Sequence, residues 1–337
     1  MSNLQKRLVR ASDLSFTLYA TVAAFSTYFC MYAFRKPFSA GTYDGLVFFG
    51  TELELKTAFA LSQLIGYTLS KFMGIKVNSE QGHAGRAKLL VALILAALAA
   101  LLLFALLPTQ WKWLAIFANG LPLGMVWGLV VSFLEGRRTS DALMAGLCCS
   151  FILASGVVKD SGRWLMNHHG VTEFWMPFAT GALYLPGFLA AVWLLKQLPE
   201  PSTADIAERS ARGVMDRQAR WSFVREFALG LTLLIVAYTV LTAFRDFRDI
   251  YQAELFAELY RDAAPGFLES QRALFSKSET PVAFGVMGAM ALLYFIRDNK
   301  RGFFAAFWLM RFGFALVGLS ALGEQSARLG PLGIIIG

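Results

Sequence analysis

Residues 89–107 read LLVALILAALAALLLFALL, nineteen consecutive residues without a charge. A helix crossing the roughly 30 Å hydrocarbon layer of a bilayer needs about 20 mostly apolar residues, and this run meets that requirement. Comparable runs recur at 14–34, 57–77, 113–134, 143–165, 174–195, 227–247, 281–295 and 303–322. The intervals between most of them are short and charged. The composition agrees, with 56% hydrophobic and 16% charged residues, too apolar for a chain that must wet its whole surface. The sequence therefore predicts an all-α, polytopic transmembrane helical bundle whose first partner is the lipid bilayer, and leaves no room for a large water-soluble domain.

The net charge of +8 reads as membrane topology and not as a nucleic-acid surface, because Lys and Arg accumulate on cytoplasmic loops. With the N-terminus inside, the loop cations fall mainly on the cytoplasmic side. The expected location is the cell inner membrane, multi-pass, with a cytoplasmic N-terminus. Lys6, Arg7 and Arg10 precede the first run, but no small-residue cleavage site follows, so that run stays as a transmembrane helix. Cys30, Cys148 and Cys149 sit in apolar stretches and are too few for a disulfide framework.

Residues 198–220 (LPEPSTADIAERSARGVMDRQAR) combine proline, small residues and mixed charge. They separate six spans from a second set. The expected organisation is a six-helix half at 1–197, a cytoplasmic linker at 198–224 and a second transmembrane half at 225–337. That half looks incomplete, because GPLGIIIG ends inside an apolar run; a genuine nine- or ten-helix protein is the alternative.

Ionisable side chains inside spans are costly unless they pair or face water, so each is a candidate for function. Five cations qualify: Arg35, Lys71, Lys159, Arg245 and Arg311. In STYFCMYAFRKPFSAG, Tyr28, Tyr32 and Arg35 are spaced i, i+4, i+7 and share one helix face. A guanidinium flanked by phenols can bind phosphate or carboxylate through its planar fork. The competing reading is an interfacial Arg beside Lys36 with an aromatic belt. In QLIGYTLSKFMGIKV, Lys71 lies inside its helix while Lys76 can serve the interface. In AYTVLTAFRDFRDIYQ, Arg245 adjoins Asp246, with Arg248 and Asp249 a turn further on, so mutual neutralisation competes with a ligand role. In GVVKDSGRW, Lys159 and Arg163 share a face and either extend an anion-attracting vestibule or pair with Asp160 as a gate. Arg311 has no local carboxylate and needs a distant one such as Glu324.

These motifs resemble the organophosphate:inorganic phosphate antiporters of the major facilitator superfamily. The resemblance rests on Tyr28, Tyr32, Arg35, Lys36 and Phe38 in the first span, on Ser70, Lys71, Phe72, Met73 and Gly74 in the second, and on Arg245 in the seventh. It implies two six-helix halves that rock about a midplane site, with Arg35 and Arg245 clamping an anion and Lys71 assisting. The chain departs from that pattern at Thr242, where the family has Tyr, at Ser150, where a His is absent, and after Gly74, where only Asn78 and Arg86 remain of the loop motif. The expected site residues are Tyr28, Tyr32, Arg35, Lys71, Arg245 and Lys159. The expected function is secondary transport of a small anionic solute, with phosphorylated solutes among the candidates, and the alternative is a transporter-like sensor. His168 and His169 lack further ligands at metal spacing, and no Gly-rich phosphate loop or catalytic triad is visible, so no metal, cofactor or enzymatic reaction is expected.

Overall fold

A computed structural model describes residues 2–80, 82–137, 139–201, 205, 217–261, 271, 273–294, 296 and 298–325. Among them are twelve α-helices and no strand. The order is α1 Asn3–Val9, α2 Asp13–Tyr32, α3 Leu55–Glu80, α4 His83–Leu106, α5 Lys112–Leu134, α6 Ser140–His169 and α7 Met176–Lys196. Further along the chain come α8 Arg217–Glu226, α9 Ala228–Ile250, α10 Gln252–Leu259, α11 Leu274–Tyr294 and α12 Asn299–Gln325. The fold is the all-α helical bundle that the apolar runs predict.

Seven of these helices are long and apolar enough to cross a membrane, and the chain is a multi-pass membrane protein. The other two expected spans, α3 and α11, have the length, at 26 and 21 residues. They also carry ionisable residues, among them Lys56 and Lys71 in α3 and Lys277 and Glu279 in α11, which lower their hydropathy. α8 begins inside the expected linker, so the end of that segment is helical.

Local chemistry sets the ends. Ser12 caps α2 by accepting from the Ser15 amide, and α6 stops at Gly170, whose φ of 64° places it in the left-handed region that closes a helix. At about 1.5 Å per residue, the 30 residues of α6 run about 45 Å and project beyond the hydrocarbon. Pro37 bars the first span from continuing as an α-helix, because proline has no amide hydrogen to donate back along the chain, although Lys36 before it keeps right-handed backbone angles (φ −97°, ψ −20°). Residues 33–36 continue the winding only as a turn, and a 3₁₀ helix follows at Pro37–Ala40.

One large core joins α2 to α7: α2 packs on α6 and α7, α4 on α5 and α7, and α3 on α5. The α3–α5 seam is backbone against backbone. A methyl group placed on Gly66 would stand 2.3 Å from the Phe117 carbonyl, and one on Gly124 would stand 2.4 Å from that of Tyr67. Small residues permit this approach, in which lipid offers helices no hydrophobic drive and close packing must supply the association. Loop 41–54 covers one end of the bundle, tied down by Glu173, which accepts from the amides of Thr42 (2.9 Å) and Tyr43 (3.3 Å). Burial, reinforced by the Glu173 charge, pushes the Tyr43 phenol well above its ordinary range and keeps it neutral.

The second half is attached mainly at one place. α11 lies along α6, while α9 meets the Pro37–Ala40 segment at its C-terminal end. The body of α9 has no buried residue, and Leu229, Leu233, Ile235, Val236 and Val240 are all exposed. Such a surface would aggregate in water and is at home in lipid.

Candidate functional site

The stretch that ends α2 builds the centre of the site. Tyr28 and Tyr32 lie in its last two turns with rings 5.7 Å apart, and Arg35 follows in the terminating turn, its amide donating to the Tyr32 carbonyl at 3.0 Å. Arg35 is therefore just past the helix and not within it. The turn nevertheless keeps all three on one side, as the i, i+4, i+7 spacing predicts.

Two amides fix this turn. Gln63 donates to the Arg35 carbonyl (3.0 Å) and to Asn119 (2.9 Å), and Asn119 donates to the carbonyls of Phe34 and Ala97, each at 3.0 Å. Gln63 and Asn119 are buried, so these bonds replace water for carbonyls that the end of α2 leaves open. Four segments, α2, α3, α4 and α5, are thereby pinned at one point directly behind the guanidinium.

The guanidinium itself is differently placed. Its carbon lies 4.2 Å from the ring centroid of Tyr67 and 5.9 Å from that of Tyr32, while Nε is buried without an acceptor. Among the described residues no carboxylate reaches ion-pair distance of Arg35. Tyr28 neighbours Tyr67 and packs edge-on against Trp127 at 5.0 Å, completing an aromatic cage. Lys71, one turn beyond Tyr67, is exposed and holds its ammonium 4.9 Å from the same ring. The structure thus brings Tyr28, Tyr32, Arg35 and Lys71 together around Tyr67, a residue the sequence reading passed over. Its signal was present, since Tyr67 and Lys71 are i and i+4 on one face.

Arg245 belongs to the other half. It is half exposed and pairs with Asp246 at 3.1 Å, so neighbouring charges neutralise each other in this conformation. Tyr32 lies within electrostatic range of Arg245, and Arg35 within range of Asp246. Arg245 thus stands near the Arg35 site but is paired with Asp246, and the two arginines are not joined in a clamp.

Lys159 has a different setting from either expected one. Successive residues of a helix point about 100° apart, so Lys159 and Asp160 serve different neighbours. Lys159 is fully buried and donates to Asp249, 2.7 Å to the carboxylate and 3.0 Å to the carbonyl, and also to Gln252. Asp160 instead accepts from the amides of Phe275 (3.1 Å) and Ser276 (2.7 Å), capping the start of α11. Lys159 and Arg163 do share a face, both standing over the Phe275 ring.

Asp249 is the hub of this junction. It pairs with Lys36 as well as Lys159, and accepts from Ser155 at 2.6 Å. Gln252 continues the network to Ser278 (2.9 Å) and Glu279 (3.1 Å), and Arg248 donates to each oxygen of the Glu279 carboxylate at 3.1 Å. Beside it Lys56 pairs with Glu254 at 2.5 Å, and Thr57 meets Tyr251. Lys36 and Lys56, which the topology count treats as loop cations, are buried ion-pair partners. Nothing in their local sequence announces this, because their acids lie about two hundred positions away.

Arg311 stacks on Trp308 at 5.0 Å, one turn away, and the side chain of Glu324, its suggested partner, lies outside the described residues.

Comparison with curated proteins and with solved structures returns no significant match. A family profile does match: residues 37–337 fit a family of unknown function, DUF5690, and the chain belongs to that family.

Proposed function

We propose that this protein is a secondary transporter of a small anionic solute, of the major facilitator type, working by alternating access in the cell inner membrane with its N-terminus in the cytoplasm. The observation that carries the reading is the Arg35 guanidinium, buried at Nε without an acceptor inside a cage of Tyr28, Tyr32 and Tyr67. A buried cation lacking a partner is expensive, and an anionic ligand is the economical way to satisfy it. The planar fork suits phosphate or carboxylate, the phenols add neutral donors, and Lys71 at the rim supplies a second positive charge.

The Asp249 junction gives the site one closed end. With the N-terminus inside, Lys36, Asp249 and Glu254 lie toward the outer face, so the ion pairs seal the outer side of the path while the body of α9 stands away from the first half. Such an arrangement corresponds to a site open to the cytoplasm. Rocking would break the Asp249 contacts, and Arg245 near the site would exchange Asp246 for the bound anion.

The deciding experiment is uptake and counterflow of labelled phosphate, sugar phosphates and other organic anions in proteoliposomes, comparing wild type with Arg35→Ala and Lys71→Ala. Transport of an anion by wild type that both variants lose supports the reading. Undiminished transport in both removes the site, and absence of transport with retained anion binding identifies a receptor instead.

A further inference from the structure

Loop 41–54, which covers one end of the bundle, is built around a hairpin. The Leu55 amide donates to the Leu46 carbonyl at 2.9 Å and the Phe48 amide to the Leu53 carbonyl at 2.8 Å, with Val47 and Glu54 bridged between them. The Thr51 amide closes the turn on the Phe48 carbonyl at 2.9 Å. Its two central residues, Phe49 and Gly50, both have positive φ, 48° and 71°. That is the φ pattern of a type I′ turn, which matches the twist of a hairpin and favours Asn-Gly or Gly-Gly. Gly50 meets the requirement without steric cost, whereas Phe49 brings its Cβ close to the following carbonyl oxygen. A bulky side chain at such a point calls for a reason outside the turn.

The reason lies in what the tip presents. Side chains alternate along a strand, so Phe48 turns inward onto the core, its ring 6.1 Å from that of Trp113, while Val47 and Phe49 turn outward. They are 50% and 55% exposed. The Phe49 ring meets Trp111 edge-on at 6.2 Å, and Trp111 is itself 45% exposed in the 3₁₀ turn Thr109–Trp111 that joins α4 to α5. One membrane-crossing run ends at Leu106 and the next begins at Thr109, so this turn marks the edge of the hydrocarbon. Leu103 and Leu106, in the last turn of α4, are exposed as well. The apolar tip is therefore continuous with the lipid-facing surface of the bundle, at the depth where aromatic rings partition between acyl chains and headgroups. That continuity selects lipid over protein as its partner.

We propose that this hairpin is an interfacial lipid anchor, with Val47, Phe49 and Trp111 seated among the upper acyl chains and the exposed carboxylates of Asp44 and Glu52 left in water. The bonds of Glu173 to Thr42 and Tyr43 tie the anchor to the bundle, so it holds this end of the first half at a fixed depth in the bilayer.

The test is electron paramagnetic resonance of the full chain in phosphatidylcholine liposomes, with Cys30, Cys148 and Cys149 replaced by Ala and a nitroxide attached at Val47→Cys or at Glu52→Cys. The Val47 label is expected to collide with oxygen and be shielded from water-soluble nickel-EDDA, and the Glu52 label to show the reverse. Phe49→Asn suits the turn better, so the Tm in detergent should hold or rise while the Val47 label loses its shielding. Should Phe49→Asn fail to fold, the two labels in the parent chain decide. A Val47 label as open to nickel-EDDA as the Glu52 label identifies a free loop and overturns the proposal. So does shielding of the Val47 label from both reagents, which identifies a protein cover, or full shielding from nickel-EDDA retained in folded Phe49→Asn.

Discussion

At the scale of the residue, the group at the centre is Arg35, whose buried Nε meets no acceptor. Charge-assisted hydrogen bonds of the kind it can offer an anion are worth about 1.5–3 kcal/mol, so Arg35→Ala is expected to weaken anion binding by about 10- to 150-fold, measured by isothermal titration. Arg35→Lys should recover part of this, since it keeps the charge and loses the fork. Lys71→Ala should cost less than Arg35→Ala, because its ammonium is exposed and solvent-screened. Asp249 presents the opposite case. Replacing it with Asn leaves two buried lysines without their carboxylate, and removing one partner of a buried pair costs about 3–5 kcal/mol. Thermal unfolding of Asp249→Asn should show a large loss, and adding Lys159→Met to it should restore part by removing one orphaned charge.

At the scale of the element, the cage depends on how closely α3 lies on α5. Tyr67 and Lys71 are presented by α3, and that helix is held by the glycines of α5. Gly124→Val would drive a side chain into the Tyr67 carbonyl and the Ser70 Cβ, which stand 2.4 and 2.7 Å from an added methyl. Overpacking of this kind costs about 1–3 kcal/mol or more, and here it also displaces Tyr67 from Arg35. The expected outcome is a lowered Tm together with weaker anion binding. Gly230→Ala in α9 is the control, because nothing lies within 4 Å of its added methyl, and it should be neutral or stabilising by up to about 1 kcal/mol.

At the scale of the molecule, α11 packs along α6, whereas α9 and α10 meet the first half largely through ion pairs at one end, and the remainder of α9 faces outward. Contacts made by charge can be exchanged for water once it enters, whereas the α6–α11 seam, with the apolar cluster of Met176, Phe256, Leu274 and Phe275 beside it, resists separation. Cysteines at Lys56 and Glu254, in a background lacking Cys30, Cys148 and Cys149, would allow a short cleavable thiol cross-linker to lock this end. The expected result is loss of counterflow on cross-linking, recovery on reduction and anion binding retained throughout. Counterflow that persists at full cross-linking would show that the halves do not separate there.

The sequence by itself determined the bundle. Hydropathy and helical spacing are local, so the positions of the spans, the polar linker and the shared face of Tyr28, Tyr32 and Arg35 could be read within windows of twenty residues. It also singled out the cations worth following, since a charge in an apolar run stands out without a structure. What it could not determine was how each cation is spent. Lys36, Lys56 and Lys159 carry the same group as Lys71, but the first three find acids on α9 and α10 and Lys71 remains exposed at the rim of the cage. Lys159 was therefore legible as a buried charge and not as a partner of Asp249, ninety positions away. Tertiary structure decides that allocation, because the energy of an ionised group in a low-dielectric interior depends on which opposite charge the fold brings within a few ångströms.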